Sequence, residues 1–325
     1  MPDADTSTRA PGLETLLARW SHHPFHHLKV AEAKVQQYLA ALLSAAEGQG
    51  AVLSTSAHGI VTGCAVIEPL PWDTSHFGVV MAKLSALITD SDAPAGDRRV
   101  ALQGLLEQVR SWCRQHAVQH LSARVDVGDV LAAQALETAG FRLMDTSVYA
   151  VYHPARVELP AIKSLGTIRL LQAGDDLEAL VNFARTGFRR FRFHADPHLP
   201  ADRSDELYAV WIRNLAKPGE AFVNVHQGGQ IVGFAPCLRH TQDSEGLGIR
   251  IGEVGTTAVL PTARGTYPGL LRAALAHLAA DTDVVEVLTS ARNLRITKTW
   301  NRLGLEPAKM TWVFHGWMDD WSVAP

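Results

Sequence analysis

The residues best placed for chemistry lie in one stretch, Gly252 to Leu271. It carries an apolar run reaching Leu260, with Glu253 near its start. Arg264-Gly265-Thr266-Tyr267-Pro268-Gly269 follows, and then Leu270, Leu271 and Leu275 at helical spacing. The run predicts a buried strand, the glycine- and proline-bearing segment a turn, and the leucines a helix. Such a junction points backbone N–H groups and the positive end of a helix dipole at one spot, which suits a pyrophosphate. The competing reading is plain α/β punctuation, with Pro268 at a first helical position.

The elements that must position these residues form two similar series. The first reads as a helix over Val30–Ala46, strands over Ala51–Thr55, Val61–Ile67 and Val79–Ile88, and a helix over Val100–His116. It closes with a strand over His120–Val125, a short helix over Val130–Ala139 and a strand over Phe141–Tyr152. From Ile168 the order restarts: a strand, helices over Leu177–Thr186 and Asp205–Leu215, and strands from Ala221, Gln230 and Gly248. It ends with a helix from Gly269, a strand over Val284–Thr289, a helix over Leu294–Leu303 and a strand over Met310–Phe314. Glu137-Thr138-Ala139-Gly140-Phe141 and Asn301-Arg302-Leu303-Gly304-Leu305 mark the same step in each. The fold class is therefore α/β (α+β): two degenerate copies, each a mixed twisted sheet flanked by helices, joined through Pro154–Pro160. Residues 1–155 form the first lobe with a helical extension, and 160–325 the second. Between its third strand and long helix the first copy has only a plain loop, Ser91 to Asp97, so the chemistry is assigned to the second.

Composition narrows the partners. Of the 325 residues, 19% are charged and 47% hydrophobic, with a net charge of −3, which excludes a broadly basic nucleic-acid binder. No apolar run is long enough to span a membrane, and the start Met-Pro-Asp-Ala-Asp-Thr lacks the features of a signal peptide; a cytoplasmic protein is expected. Cys64, Cys113 and Cys237 stand singly in apolar stretches and read as reduced core residues. His22 with His26, His23 with His27, and His194 with His198 have i, i+4 spacing. Pro24 and Pro197 break the helix such pairs would need, so no metal is expected.

On these residues the second half resembles the GNAT N-acetyltransferases, whose fingerprint after the fourth strand is Arg/Gln-x-x-Gly-x-Gly. Arg264 and Gly269 match it, and Tyr267 stands at the first glycine. Two further stretches sharpen the likeness. Trp72-Asp73-Thr74-Ser75-His76-Phe77-Gly78, and Phe191-Arg192-Phe193-His194 followed by Tyr208-Ala209-Val210-Trp211-Ile212, resemble dTDP-fucosamine N-acetyltransferases and their sugar-amine relatives. Trp72 and Phe77 are read as buried anchors. The likeness spans nearly the whole chain after about residue 60 and marks the first lobe as degenerate.

The resemblance implies acetyl-CoA, or another acyl-CoA, as cosubstrate, bound by Thr257, Ala258, Val259, Arg264, Gly265, Thr266, Gly269 and Asn293. In that family the strand splays near Thr257–Val259, freeing backbone groups for pantetheine and for a developing oxyanion. Glu253 falls where related enzymes carry a general base; the alternative is an exposed or paired strand residue. Arg190, Arg192 and His194 lie where the acceptor binds, and arginines grip phosphate well, while the rival reading is a solvated loop.

Two departures stand out. Trp300 replaces the tyrosine that protonates the leaving sulfur, and indole does not ionise usefully. The thiolate then leaves without full protonation, or Tyr267 donates, or His315 does. Tyrosine at position 267 also predicts strain if a positive φ is required there, or a differently wound loop, and Pro268 removes one N–H. The expected function is acyl transfer, most simply acetyl, to an amine of a small molecule such as a nucleotide-linked amino sugar, by direct attack in a ternary complex. A monomer or homodimer suffices. The alternatives are the same fold with a hydroxyl, carrier-protein thiol or natural-product amine as acceptor, or a silent acyl-CoA-binding protein.

Overall fold

The computed structural model describes residues 12–189 and 191–321. Its elements run α1 (Leu13–Ala18), α2 (Glu32–Glu47), β1 (Ala51–Ala57), β2 (Ile60–Pro69), α3 (Pro71–Phe77), β3 (Met81–Thr89), α4 (Ala95–Gln115), β4 (His120–Asp126), α5 (Val130–Thr138) and β5 (Arg142–Tyr152). They continue β6 (Thr167–Leu170), α6 (Glu178–Gly187), α7 (Arg192–Ala195), α8 (Ala201–Leu215), β7 (Ala221–Val225), β8 (Ile231–Arg239), α9 (Thr241–Leu247), β9 (Ile251–Val254) and β10 (Ala258–Val259). The last are α10 (Tyr267–Leu278), β11 (Val284–Ser290), α11 (Leu294–Arg302) and β12 (Glu306–Trp317).

Two compact units result, Met1–Leu143 with Trp312–Pro325, and Met144–Thr311. Most of β5 falls in the second unit, and β12 passes into the first at Trp312. The sequence repeat and the compact units thus part at different places.

In the first unit the strands lie in the order β1-β2-β3-β4, followed by the end of β12. The first three are antiparallel neighbours and β3–β4 is parallel. Leu102, Leu105, Leu106 and Val109 put one face of α4 onto Ala65, Ile67, Leu84 and Leu121. Each such leucine, fully buried, contributes roughly 1.5–3 kcal/mol. In the second unit the order is β5-β11-β9-β8-β7-β6. There β9–β11 is parallel and the other pairs are antiparallel. Leu270, Leu271, Ala274, Leu275 and Leu278 of α10 pack on Ala235, Cys237, Val254, Val285 and Val287, and this is the leucine periodicity read from the sequence.

The repeat is closer in the structure than in the sequence. Helices α3 and α9 occupy matching places, α3 between β2 and β3 and α9 between β8 and β9, and both end at a left-handed glycine, Gly78 (φ 71°) and Gly248 (φ 70°). Thr74 Oγ1 accepts the N–H of Met81 and Ser244 Oγ that of Ile251, each at 2.9 Å. Gly63 and Gly233 match as well: an added Cβ would meet Leu105 of α4 at 2.8 Å and Leu270 of α10 at 3.1 Å, so the missing side chain admits each long helix.

Several expectations change. Helices α1, α3, α7 and α9 are too short to show a period in the sequence. Helices α4 and α8 begin earlier, directly after Pro94 and Pro200, in polar first turns that carry no apolar signal. Strand β12 begins at Glu306, where polar residues and Pro307 masked it. Phe77 is buried as read, but Trp72 is 42% exposed and stacks on His76, so it is no buried anchor.

Candidate functional site

The parallel ladder between β9 and β11 stops at Val254 and Val287. Gly255 turns its N–H to Pro236 O at 3.1 Å, and β10 pairs with β8 instead. Strand β11 goes on to Ser290 beside β5. The two neighbours therefore part at Gly255, slightly earlier than expected, and a wedge opens between residues 255–259 and the end of β11. Thr257 and Val259 are half-buried there and Ala258 is buried. The Thr257 hydroxyl is held by its own turn, donating to Gly255 O at 3.1 Å.

The far wall of the wedge is pinned by a residue the sequence did not single out. Buried Asp145 accepts the Ser290 hydroxyl at 2.6 Å and lies 3.4 Å from Arg292, which also donates to Met144 O. A lone acid early in a strand gives no motif; only the register reveals it. Asn293 caps the start of α11 without a side-chain cap bond, and its amide donates to Thr289 Oγ1 at 3.2 Å.

From Leu260 the chain enters a 3₁₀ turn, Pro261–Thr266, that runs straight into α10. Tyr267 is helical, with φ −52° and ψ −46°, so the expected strain is absent and the loop is wound differently. Gly265 and Gly269 also avoid positive φ. Gly269 serves close packing instead: its Cβ would lie 3.1 Å from Ile168 Cδ1. Buried Thr266 spends its hydroxyl on Ala263 O at 2.8 Å. Arg264 is exposed on this turn, near the N-terminal end of α10. Its charge and the positive end of the α10 dipole offer an anion site, less the donor removed by Pro268.

The two departures from the fingerprint meet. Trp300, 2% exposed, donates its indole N–H to the Tyr267 hydroxyl at 3.1 Å. Burial pushes the Tyr267 phenol well above its usual value, and the Trp300 N–H works the other way. His315 lies in the first unit, buried against His120 with ring centroids 4.5 Å apart.

Glu253 also has a partner that the sequence reading missed. His240, the N-cap residue of α9, places Nε2 2.8 Å from Glu253 Oε2. Both side chains are partly exposed, 32% and 26%. The pKa of the His240 imidazole is raised above its ordinary value, chiefly by the hydrogen bond it donates to Glu253. Desolvation opposes this, and the charges of Glu253, Glu286 and Asp243 add to it. The signal for His240 was its place at the end of β8, across the hairpin from Glu253: Leu238 faces Glu253 in the ladder, and the His240 N–H reaches Ile251 O.

The arginine loop is tied down. Arg189 and His194 share Asp205, the histidine at 2.9 Å. Arg192 lies over the Phe193 ring, 4.3 Å from its centroid. Arg190 is outside the described residues. In the first copy, the positions matching His240 and Glu253 hold Leu70 and Lys83, and Lys83 pairs with Glu68 at 3.0 Å. The loop before α4 carries Asp90, which Arg19 pairs at 2.7 Å, and Asp92, whose charge repels a pyrophosphate.

No protein-family model matches the chain. A curated relative, spore coat polysaccharide biosynthesis protein SpsD of Bacillus subtilis, is 27% identical over 149 residues, 44% of this chain and 48% of that protein. The match thus spans about half the length of the relative. Among solved structures, a GCN5-related N-acetyltransferase from Sphaerobacter thermophilus aligns with a TM-score of 0.63 at 17% identity, over 98% of this chain and 97% of that one. A fungal glucosamine N-acetyltransferase region in a multi-domain β-N-acetylglucosaminidase aligns at 0.56 and 13%, over 94% of this chain and 37% of that one. Likeness over nearly the full length of both chains settles the architecture: this chain has the fold of the GCN5-related N-acetyltransferases.

Proposed function

We propose that the protein is an acyltransferase that moves an acyl group, most simply acetyl, from coenzyme A to an amine of a small molecule. Residues 160–325 carry the chemistry and 1–155 form a structural lobe. The observation that carries this reading is the wedge at Gly255, which opens immediately beyond Glu253 and leads into the turn bearing Arg264.

The residues fit the cosubstrate. The free backbone edge of residues 255–259 pairs with a pantetheine arm, and a backbone N–H there meets the oxyanion of the attacked thioester. Arg264 and the first turn of α10 hold the pyrophosphate, and Asn293 lies at the mouth of the wedge. The amine attacks the thioester carbonyl directly, and its proton passes to the Glu253–His240 pair. As the carbon–sulfur bond breaks, Tyr267 gives its hydroxyl proton to the departing sulfur and regains one from water. Trp300, donating to the same oxygen, steadies the phenolate formed.

An amino sugar is the acceptor class favoured. Support comes from the polysaccharide role in the name of the Bacillus relative and the glucosamine named for the fungal region. Arg192 and His194 flank the acceptor in this reading, with cytoplasmic acetyl-CoA as donor. The test is thiol release and N-acetylated product from acetyl-CoA with glucosamine and a panel of amines. Release from the native chain, reduced at least about tenfold in Glu253→Gln, is expected. Binding of coenzyme A without release for any amine would overturn the reading.

A further inference from the structure

The pair at the wedge has two members, and only one of them is suited to hold the proton. We infer that His240 Nδ1 is the atom that accepts the acceptor amine's proton, and that Glu253 is the positioning residue that holds the imidazole. This rests on the acyltransferase reading above and names a proton acceptor for the same site.

Geometry carries the assignment. His240 Nε2 lies 2.8 Å from Glu253 Oε2, so the carboxylate favours the tautomer with hydrogen on Nε2 and leaves Nδ1 as the acceptor nitrogen. Nδ1 makes no cap bond to α9, and the side chain keeps about a third of its surface, so a small amine can reach it. A carboxylate orienting an imidazole from behind is the arrangement by which an imidazole becomes an effective base. An ordinary carboxylate is a weak acceptor for an amine proton, whereas imidazole titrates near the working pH. The groups whose charges act on His240 are Glu253 on β9, Glu286 on β11 and Asp243 on α9, and all of them favour its taking a proton.

The internal repeat gives independent support. In the first copy Leu70 and Lys83 replace both members together, and neither can do the other's work. If Glu253 alone were the base, the residue at position 240 would need no change with it. The step balances simply. The amine nitrogen gives its proton to Nδ1 as its lone pair attacks the carbonyl, the Nε2–H stays with Glu253, and the imidazolium later returns one proton to water.

The experiment compares the full-length native chain, His240→Gln and Glu253→Gln. Coenzyme A binding is measured by calorimetry, and thiol release from acetyl-CoA is followed from pH 5 to 9 with glucosamine and with water as the only acceptor. All three proteins should bind coenzyme A alike, which shows that they are folded. His240→Gln should lower kcat/KM at least about 100-fold across the range. Glu253→Gln should keep more activity, and the acid limb of its profile should move to lower pH, because removing the carboxylate lowers the imidazole. Activity within about threefold of native in His240→Gln, or an unmoved acid limb in Glu253→Gln, would overturn the inference while leaving the acyltransferase reading intact. Binding without thiol release by the native chain would overturn both.

Discussion

The indole N–H of Trp300 donates to the hydroxyl of Tyr267 across 3.1 Å, joining the two positions at which this chain departs from the acetyltransferase fingerprint. The bond uses the oxygen lone pair and leaves the phenolic hydrogen free for another acceptor. Trp300→Phe should therefore lower kcat about tenfold through loss of phenolate support and cost roughly 1–3 kcal/mol of stability. Tyr267→Phe should lower kcat further, with binding of acetyl-CoA within about threefold of native. Because Trp300 is buried in the core, Trp300→Tyr should not raise turnover; a rise in steady-state kcat would place that position at the thioester.

Arg264 is exposed at the turn before α10, where a phosphate would meet both its charge and the helix end. Arg264→Glu should weaken coenzyme A about tenfold in a calorimetric titration, with the native chain losing affinity as salt rises and the variant less so. Equal affinities at low salt would remove Arg264 from the site.

The three cysteines are buried, and burial raises the thiols of Cys64, Cys113 and Cys237 to about 12. They should stay silent toward a disulfide reagent in the native protein and react fully after denaturation. The thiol counted in a turnover assay is then only the one released. Reaction of the native protein within minutes would contradict this burial.

Asp205 holds Arg189 and His194 together. Burial works against its charge, but the hydrogen bonds and charges of Arg189 and His194 keep the carboxyl below its ordinary value. A depressed carboxyl contributes stability that is present above its unfolded pKa and is lost as pH falls through the folded one. Asp205→Asn should therefore lower Tm at pH 6, and the gap from the native chain should close as pH falls through the acid range. A gap that stays constant with pH would exclude the ion pairs as its cause.

Much of this was legible in the chain. The leucine period of α10, the alternating strands and the paired glycine steps follow from spacing alone, and they locate the two copies. Glu253, Arg264 and Gly269 stand out in the sequence because a motif fixes their spacing. His240 and Asp145 do not, since each owes its place to register across a hairpin or a ladder, which no local pattern records. Tyrosine at position 267, where the fingerprint has glycine, predicts strain; the turn instead takes a helical path that any residue can follow. The same limit hid the Trp300–Tyr267 contact, which joins two helices far apart in sequence.

The central claim, that an acyl-CoA binds at the wedge of the second copy, is tested most directly by amide hydrogen exchange with and without acetyl-CoA. Added acetyl-CoA should slow exchange across residues 255–269 and leave the matching segment of the first copy, residues 85–98, unchanged. No protection at 255–269, or protection confined to 85–98, would contradict the account.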